Sequence, residues 1–278
     1  MHNAALAHLA ERDPRFAAWR YVALDCPPAD LAAALPALRA RGFRGVNLTV
    51  PHKVLAVGMV ESIEPAAAAA GAVNTLRREG SGWRGFNTDG YGLAMAIRED
   101  LGIELQGTPV IIAGAGGAAR GAAAECLRAG CAALWVVNRT PARLAALLEQ
   151  VRPAAGAVPL AGLGPEDPVP EFPPGTLLIN ATSAGLRAAD PSPVVLGRLA
   201  GVAAVYDMIY NPPRTRLLDE AAALGLRTQN GLGMLVHQGA KALEIWTGAS
   251  AAELAPVMRA AAAKALGSAP GSGADSGA

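Results

Sequence analysis

Two side chains in the first third of the sequence, Lys53 and Asp89, have the types and settings needed for proton chemistry, and a third, Asn74, can hydrogen-bond beside them. Lys53 closes the run Asn47-Leu-Thr-Val-Pro-His-Lys53. There Gly45–Val50 is apolar enough to read as a short buried strand, and Pro51 ends ladder pairing. Asn47, Thr49 and Lys53 are therefore expected to gather at or just past the carboxyl end of that strand, where open α/β sheets bind ligands. An ammonium held there can donate or accept a proton, whereas a lone lysine on a turn is in most proteins simply solvated. Asn74 ends Gly71-Ala-Val-Asn74, and Asp89 lies in Asn87-Thr88-Asp89-Gly90. Asp89 precedes a helix expected over Tyr91–Asp100, so its carboxylate also suits a capping role near the positive helix end. The two roles are compatible.

A second group of residues could hold a dinucleotide. The apolar run Thr108–Ala113 reads as a strand, and Gly114-Ala115-Gly116-Gly117-Ala118-Ala119 turns it into a helix. This is G-x-G-x-x-A in its proper strand-to-helix context. Gly114 allows the tight turn, Gly116 lets the backbone approach a pyrophosphate, and Ala119 lets helix pack closely on strand. The helix N-terminus then offers unpaired N–H groups to the phosphates. The next strand, Ala133–Val137, ends in Asn138-Arg139-Thr140-Pro-Ala-Arg143. An NAD site would place an acidic residue there for the ribose 2′-OH; an amide and two arginines suit a 2′-phosphate instead. NADP is the expected cofactor. Further on, Gly175–Asn180 reads as a strand leading into Ala181-Thr182-Ser183-Ala184-Gly185, a small-residue loop suited to contact with a ribose or phosphate.

The ordered set Asn-x-Thr-x-Pro-x-Lys, Gly-Ala-Val-Asn-Thr and Asn-Thr-Asp-Gly resembles the shikimate dehydrogenase family, and the similarity runs from Met1 to about Gly248. The resemblance implies that Lys53 and Asp89 form the catalytic pair, with Thr49, Asn74, Asp89, Tyr210 and Gln238 contacting a polyhydroxylated substrate. It places Met208 near the nicotinamide and adds Gly231, in the glycine-rich return Asn230-Gly231-Leu-Gly233, to the cofactor residues. The activity implied is reversible, NADP-dependent reduction of 3-dehydroshikimate to shikimate in aromatic amino-acid biosynthesis. The same pair would serve quinate or a related hydroxy acid, and a nucleotide-binding protein without turnover is the alternative from another class. A folate-linked NADP dehydrogenase of similar shape fits Asn-Thr-Asp-Gly and Gln238 less well.

These residues need an α/β frame of two domains. The polar Arg77–Gly82 segment is expected to turn a hairpin, and Ala203–Tyr210 to be a strand ended by Asn211-Pro-Pro. Thr215–Leu224 and Met234–Trp246 read as helices, the second setting Gln238 on one face with Met234 and leaving His237 a structural role. Ser250 with Glu253 reads as a capping box for a last helix to Leu266. A substrate domain is expected over 1–88, a Rossmann-type NADP domain over 89–230, returning helices over 231–266 and a disordered tail over 267–278. His52, beside Lys53, is expected to point away from it.

Bulk properties exclude several classes. With 278 residues and a net charge of +1, the chain has no basic field for nucleic acid. Cys26, Cys126 and Cys131 lack metal-ligand spacing and fit a reducing, cytoplasmic compartment, with no metal expected. No apolar run approaches the roughly 20 residues that cross a bilayer. The expected partners are small molecules, the chain being a monomer or homodimer. In one respect the sequence departs from the family: the initial strand and its Ser-x-Ser segment, which holds the substrate carboxylate, are missing ahead of Met1-His-Asn-Ala-Ala. A start at an internal methionine and a genuine variant both explain this. Either way an exposed sheet edge is expected. Lost hydroxyl contacts worth about 1.5–3 kcal/mol each would also weaken activity.

Overall fold

The computed structural model describes residues 1–165 and 167–267. Its first part runs α1 (His2–Ala10), α2 (Leu31–Ala40), β1 (Gly45–Asn47), α3 (His52–Leu55), β2 (Ser62–Ile63), α4 (Pro65–Ala70), β3 (Thr75–Glu79) and β4 (Gly82–Phe86). The strands form one small sheet in the order β1-β3-β4-β2, with Asn47 opposite Thr75 and Thr75 opposite Phe86. The hairpin is as expected, but its turn is only Gly80-Ser81. β1 is an edge strand.

The strand expected over Gly45–Val50 stops at Asn47 and is half-buried rather than buried. Val50 is 76% exposed, and the chain turns there into α3, so Lys53 sits on one helical turn and not on an extended loop. A three-residue edge strand supported on one side by β3 is all that this apolar run sustains. Beyond the strand, Leu48 packs against the cluster that holds Ala56, Val73, Leu76 and Trp83.

The second part starts with α5 (Asp89–Leu101) and continues β5 (Pro109–Ala113), α6 (Gly117–Arg128), β6 (Ala133–Val137), α7 (Pro141–Ala155), β7 (Leu160–Leu163), β8 (Thr176–Asn180), β9 (Val202–Asp207), α8 (Arg216–Ala223) and β10 (Arg227–Gln229). Six parallel strands lie in the order β10-β9-β8-β5-β6-β7. Val110, Ile112, Leu177 and Ile179 are fully buried, as expected of strands covered on both faces. On one face the small residues Ala119, Ala122 and Ala123 let α6 approach closely; on the other, Leu217, Leu218 and Ala221 of α8 meet Ile111, Leu178 and Val205. The strand order reverses between β5 and β8, so a crevice opens beyond their carboxyl ends.

The strand expected over Ala203–Tyr210 ends at Asp207, because the Asp207 carboxylate accepts the Ile209 N–H (3.0 Å) and bends the chain. Two helices then return to the first part: α9 (Leu232–Thr247) and α10 (Ala251–Ala265). Trp246 Nε1 donates to the Leu76 carbonyl (2.9 Å), tying α9 to β3. Val236, Ala240 and Leu243 of α9 pack with α1 and with Leu254 and Met258 of α10. The Ser250–Glu253 capping box does not form. Glu244 takes the Ala251 N–H (2.8 Å), and Glu253 turns to Arg12 and to His8 on α1. Apart from Gly267, the tail expected over 267–278 lies outside the described residues.

Candidate active site

Three segments of the small domain are knitted together by main-chain bonds before any side chain acts. The Val73 N–H donates to the Lys53 carbonyl (2.8 Å), the Asn74 N–H to Phe86 (3.0 Å), and the Leu48 N–H to Asn74 (2.8 Å). Lys53, Asn74 and the start of α5 are thereby fixed relative to one another. Lys53 Nζ reaches Asp89 Oδ2 at 2.6 Å, and Asn74 Nδ2 donates to Asp89 Oδ1 at 2.8 Å. Both charged side chains remain 23% accessible, so the pair is sheltered yet open to a ligand. Asp89 is the first residue of α5, but its carboxylate makes no capping bond; it is committed to Lys53 and Asn74. Its N–H is taken by Asn87 Oδ1 (3.0 Å), which ties the first residue of α5 to the segment before it.

Close glycine contacts bring other parts of the chain to this place. A Cβ on Gly90 would lie 2.7 Å from Glu125 Oε2, so the first turn of α5 abuts α6, the helix that begins at the glycine-rich turn. Gly92, one turn after Asp89, sits against Gln238 of α9. The Gln238 amide donates to the Leu235 carbonyl (2.9 Å), leaving its oxygen available. A Cβ on Gly231 would strike the Met208 carbonyl at 2.1 Å, so the end of β9 and the start of α9 touch here. Tyr210, two residues after Met208, is 38% exposed. Thr49 is exposed on the loop between β1 and α3.

His52 is turned the other way, its Nε2 donating to the Cys26 carbonyl (2.8 Å). His237 is buried, with Nε2 3.0 Å from Glu99 but out of line for a hydrogen bond; burial holds its basicity down. Cys126 and Cys131 are buried free thiols, both pushed up by burial, Cys131 to about 11. Neither fits a nucleophile.

The nucleotide side is a cavity of about 690 Å³ beyond the ends of β5, β6 and β8. Gly114, Ala115, Gly116, Asn138, Arg139, Thr140, Arg143 and Thr182 all line it. Gly114 has φ +117°, and a Cβ there would meet the Ala181 carbonyl at 3.0 Å; only glycine fits. A Cβ at Gly116 or Gly117 would meet nothing within 4 Å, so this is open space at a helix N-terminus, as a pyrophosphate requires. Ala118 is exposed on the same helical turn. Arg139 and Arg143 are exposed, and neither is ion-paired among the described residues. The residues therefore fit a phosphorylated dinucleotide. Met208 and Gly231 lie outside this cavity's lining.

Behind it, Asp207 is completely buried. Burial raises its carboxyl's proton affinity, while bonds from Thr215, Ile209 and Asn180 oppose that rise. Asn180 Nδ2 donates to Asp207 (3.0 Å), and its oxygen accepts both the N–H (3.0 Å) and hydroxyl (2.8 Å) of Thr182, which fixes the loop after β8. Sequence reasoning missed Asp190, Pro191, Ser192 and Pro193, which form the far wall. Their types announce a turn and nothing about a nucleotide. It also missed Thr75 and Thr88, whose only signal was adjacency to Asn74 and Asp89.

Two domain models match the chain: "Shikimate dehydrogenase substrate binding domain" over residues 1–76, and "Shikimate 5'-dehydrogenase C-terminal domain" over residues 231–262. The shikimate dehydrogenase (NADP(+)) of Geobacter metallireducens is 41% identical over 232 residues, covering 83% of this chain and 81% of the relative. The crystal structure of shikimate 5-dehydrogenase from Thermus thermophilus, in complex with NADP(H) and shikimate, superposes with a TM-score of 0.76 at 36% identity, covering 94% of this chain and 95% of the other. A 5-ketofructose reductase from Gluconobacter, in ligand-free form, gives a TM-score of 0.77 at 33% identity and 92% coverage of each chain. With the Lys53–Asp89 pair, the glycine turn and these likenesses together, the chain belongs to the shikimate dehydrogenase family.

Proposed function

We propose that this protein catalyses the reversible, NADP-dependent reduction of 3-dehydroshikimate to shikimate. The observation that carries the reading is Lys53 Nζ held 2.6 Å from Asp89, which is itself held by Asn74. NADPH, when bound, supplies the hydride. Lys53 then donates the proton that the ketone oxygen needs as it becomes a hydroxyl, and takes it back in the reverse direction. Asp89 orients the ammonium and accepts a hydrogen bond from a ring hydroxyl. Thr49, Asn74, Tyr210 and Gln238 hold the remaining polar groups of the substrate. Gly114–Ala118 and Thr182 cradle the pyrophosphate and ribose, Asn138, Arg139, Thr140 and Arg143 hold the 2′-phosphate end, and Met208 and Gly231 border the nicotinamide.

The same reading divides the chain near residues 88–89 and 230–231, since β4 and α5 flank the first point and β10 and α9 the second. It puts the protein in the cytoplasm, which three free cysteines support. No helix among the described residues is long and apolar enough to cross a membrane. The test is NADPH oxidation with 3-dehydroshikimate, run beside quinate with NADP and 5-ketofructose with NADPH. Turnover of 3-dehydroshikimate above the others is expected. Preference for either comparison substrate, or no turnover of any, overturns the assignment.

A further inference from the structure

We infer that Thr75, with Asn47 behind it, is a positioning residue for the Lys53–Asp89 pair: it locks the Asn74 carboxamide in the one orientation that donates to Asp89. This rests on the reading of Lys53 and Asp89 given above. An asparagine amide can sit in two orientations differing by exchange of its oxygen and nitrogen, and only one puts a donor against a carboxylate. At Asn74 the main chain decides. The Thr88 N–H can only donate, and it points at Asn74 Oδ1 (2.9 Å), so Nδ2 must face Asp89 and Thr88 Oγ1. Asn74 is 2% exposed, so water does not supply substitutes freely.

Thr75 adds a second lock. Its hydroxyl, fully buried, donates to Asn74 Oδ1 (2.9 Å). A hydroxyl has one hydrogen, and its direction is set by what it must accept. Asn47 Nδ2 donates to Thr75 Oγ1 (2.9 Å), and its orientation is in turn fixed by the Asn74 carbonyl (3.2 Å), which can only accept. With Asn47 donating, the Thr75 hydrogen is left for Asn74. The Asn47 oxygen then takes the Tyr21 hydroxyl (3.0 Å). One donor-to-acceptor polarity runs from Tyr21 through Asn47, Thr75 and Asn74 to Asp89, whose other oxygen accepts from Lys53. The register that sets Asn47 opposite Thr75 across β1 and β3 makes the chain possible.

Replacing Thr75 by valine keeps the shape and removes the hydroxyl. Asn74 Oδ1 then keeps the Thr88 N–H but loses the Thr75 hydroxyl, and Asn47 Nδ2 keeps only the Asn74 carbonyl, so the amide is held less firmly against Asp89. For Thr75→Val, kcat for 3-dehydroshikimate should fall about tenfold, with KM for NADPH unchanged. Thr75→Ser, which restores the hydroxyl, should return most of kcat. If Thr75→Val does not fold, Asn47→Ala provides the same reading and should lower kcat about threefold. A valine variant with wild-type kcat, or a serine variant as slow as valine, overturns the positioning role even if the wild type is fully active. A wild type that does not turn over 3-dehydroshikimate would instead remove the underlying assignment.

Discussion

Gly92 of α5 and Gln238 of α9 pack so tightly that a Cβ on Gly92 would lie 2.8 Å from the Gln238 Cβ and 2.8 Å from the Met234 carbonyl. Gly233 repeats the device from the other helix, where a Cβ would lie 2.9 Å from that of Ala96. The approach matters because α5 starts at Asp89 and α9 carries Gln238; their spacing sets the distance between two proposed substrate contacts. Gly92→Ala should therefore force the helices apart. Overpacking of this kind costs about 1–3 kcal/mol, here against a main-chain carbonyl that cannot swing aside. Melting temperature should fall, and KM for 3-dehydroshikimate should rise more than KM for NADPH. An alanine variant with wild-type melting and KM would show that the helices are not held at contact distance.

Removing the ammonium separates chemistry from cofactor binding. Lys53 lies on α3 in the small domain, while the glycine turn and the arginines belong to the large sheet. Lys53→Ala should reduce kcat by about 100- to 10,000-fold, the usual contribution of a positioned acid–base group. NADPH affinity, read by fluorescence titration, should barely move. Asp89→Asn should also lower kcat strongly, since the amide keeps the shape but loses the charge that orients Lys53. Parallel loss of NADPH binding in both variants would argue that the pair only supports the fold.

What could be read in advance differs between the two halves for a physical reason. β5, β6 and β8 are central parallel strands, so their apolar runs match their observed limits to within a residue. The glycine turn was legible because backbone geometry at Gly114 admits no other residue. The small sheet was harder. β1 is a three-residue edge strand, β2 has two residues, and of the apolar residues just after β1, Leu48 packs beside the sheet while Val50 is 76% exposed. Lys53, Asn74 and Asp89 were visible as residue types, but what joins them is not. The locks on Asn74 come from Thr75 and the Thr88 N–H, and hydrogen-bond direction leaves no trace in residue spacing. The failed capping box has a similar cause: Glu253 found partners in α1 and its following turn, far away in sequence.

Cofactor choice should rest on Arg139 and Arg143. Both line the cavity next to Asn138, whose amide bends the loop by donating to the Thr140 carbonyl (3.0 Å). No acidic side chain occupies that position to receive a ribose 2′-OH. Arg139→Ala should raise KM for NADPH about tenfold through loss of a charge-assisted phosphate contact, and leave KM for NADH nearly unchanged. The double variant with Arg143→Ala should bring the two cofactors close to parity. If both KM values rise equally, the arginines support the loop rather than read the phosphate.

Acid sensitivity should concentrate at His2. Its ring stacks on Tyr21 with centroids 4.0 Å apart and planes 8° from parallel, and only 8% of the residue is exposed. Burial, aided by the charge of the chain's amino terminus, lowers its pKa from 6.5 to about 4. The folded state therefore binds this proton less readily than the unfolded chain. The contribution to stability is fully present above pH 6.5, shrinks as pH falls, and is gone near pH 4. At most it amounts to about 3 kcal/mol, because each tenfold loss of proton affinity on folding corresponds to about 1.4 kcal/mol. His2→Phe keeps the stacking and removes the titration. Denaturant midpoints should fall between pH 6.5 and 4 in the wild type and fall distinctly less in the phenylalanine variant. Parallel slopes in the two proteins would mean that the ring already carries its proton in the folded state.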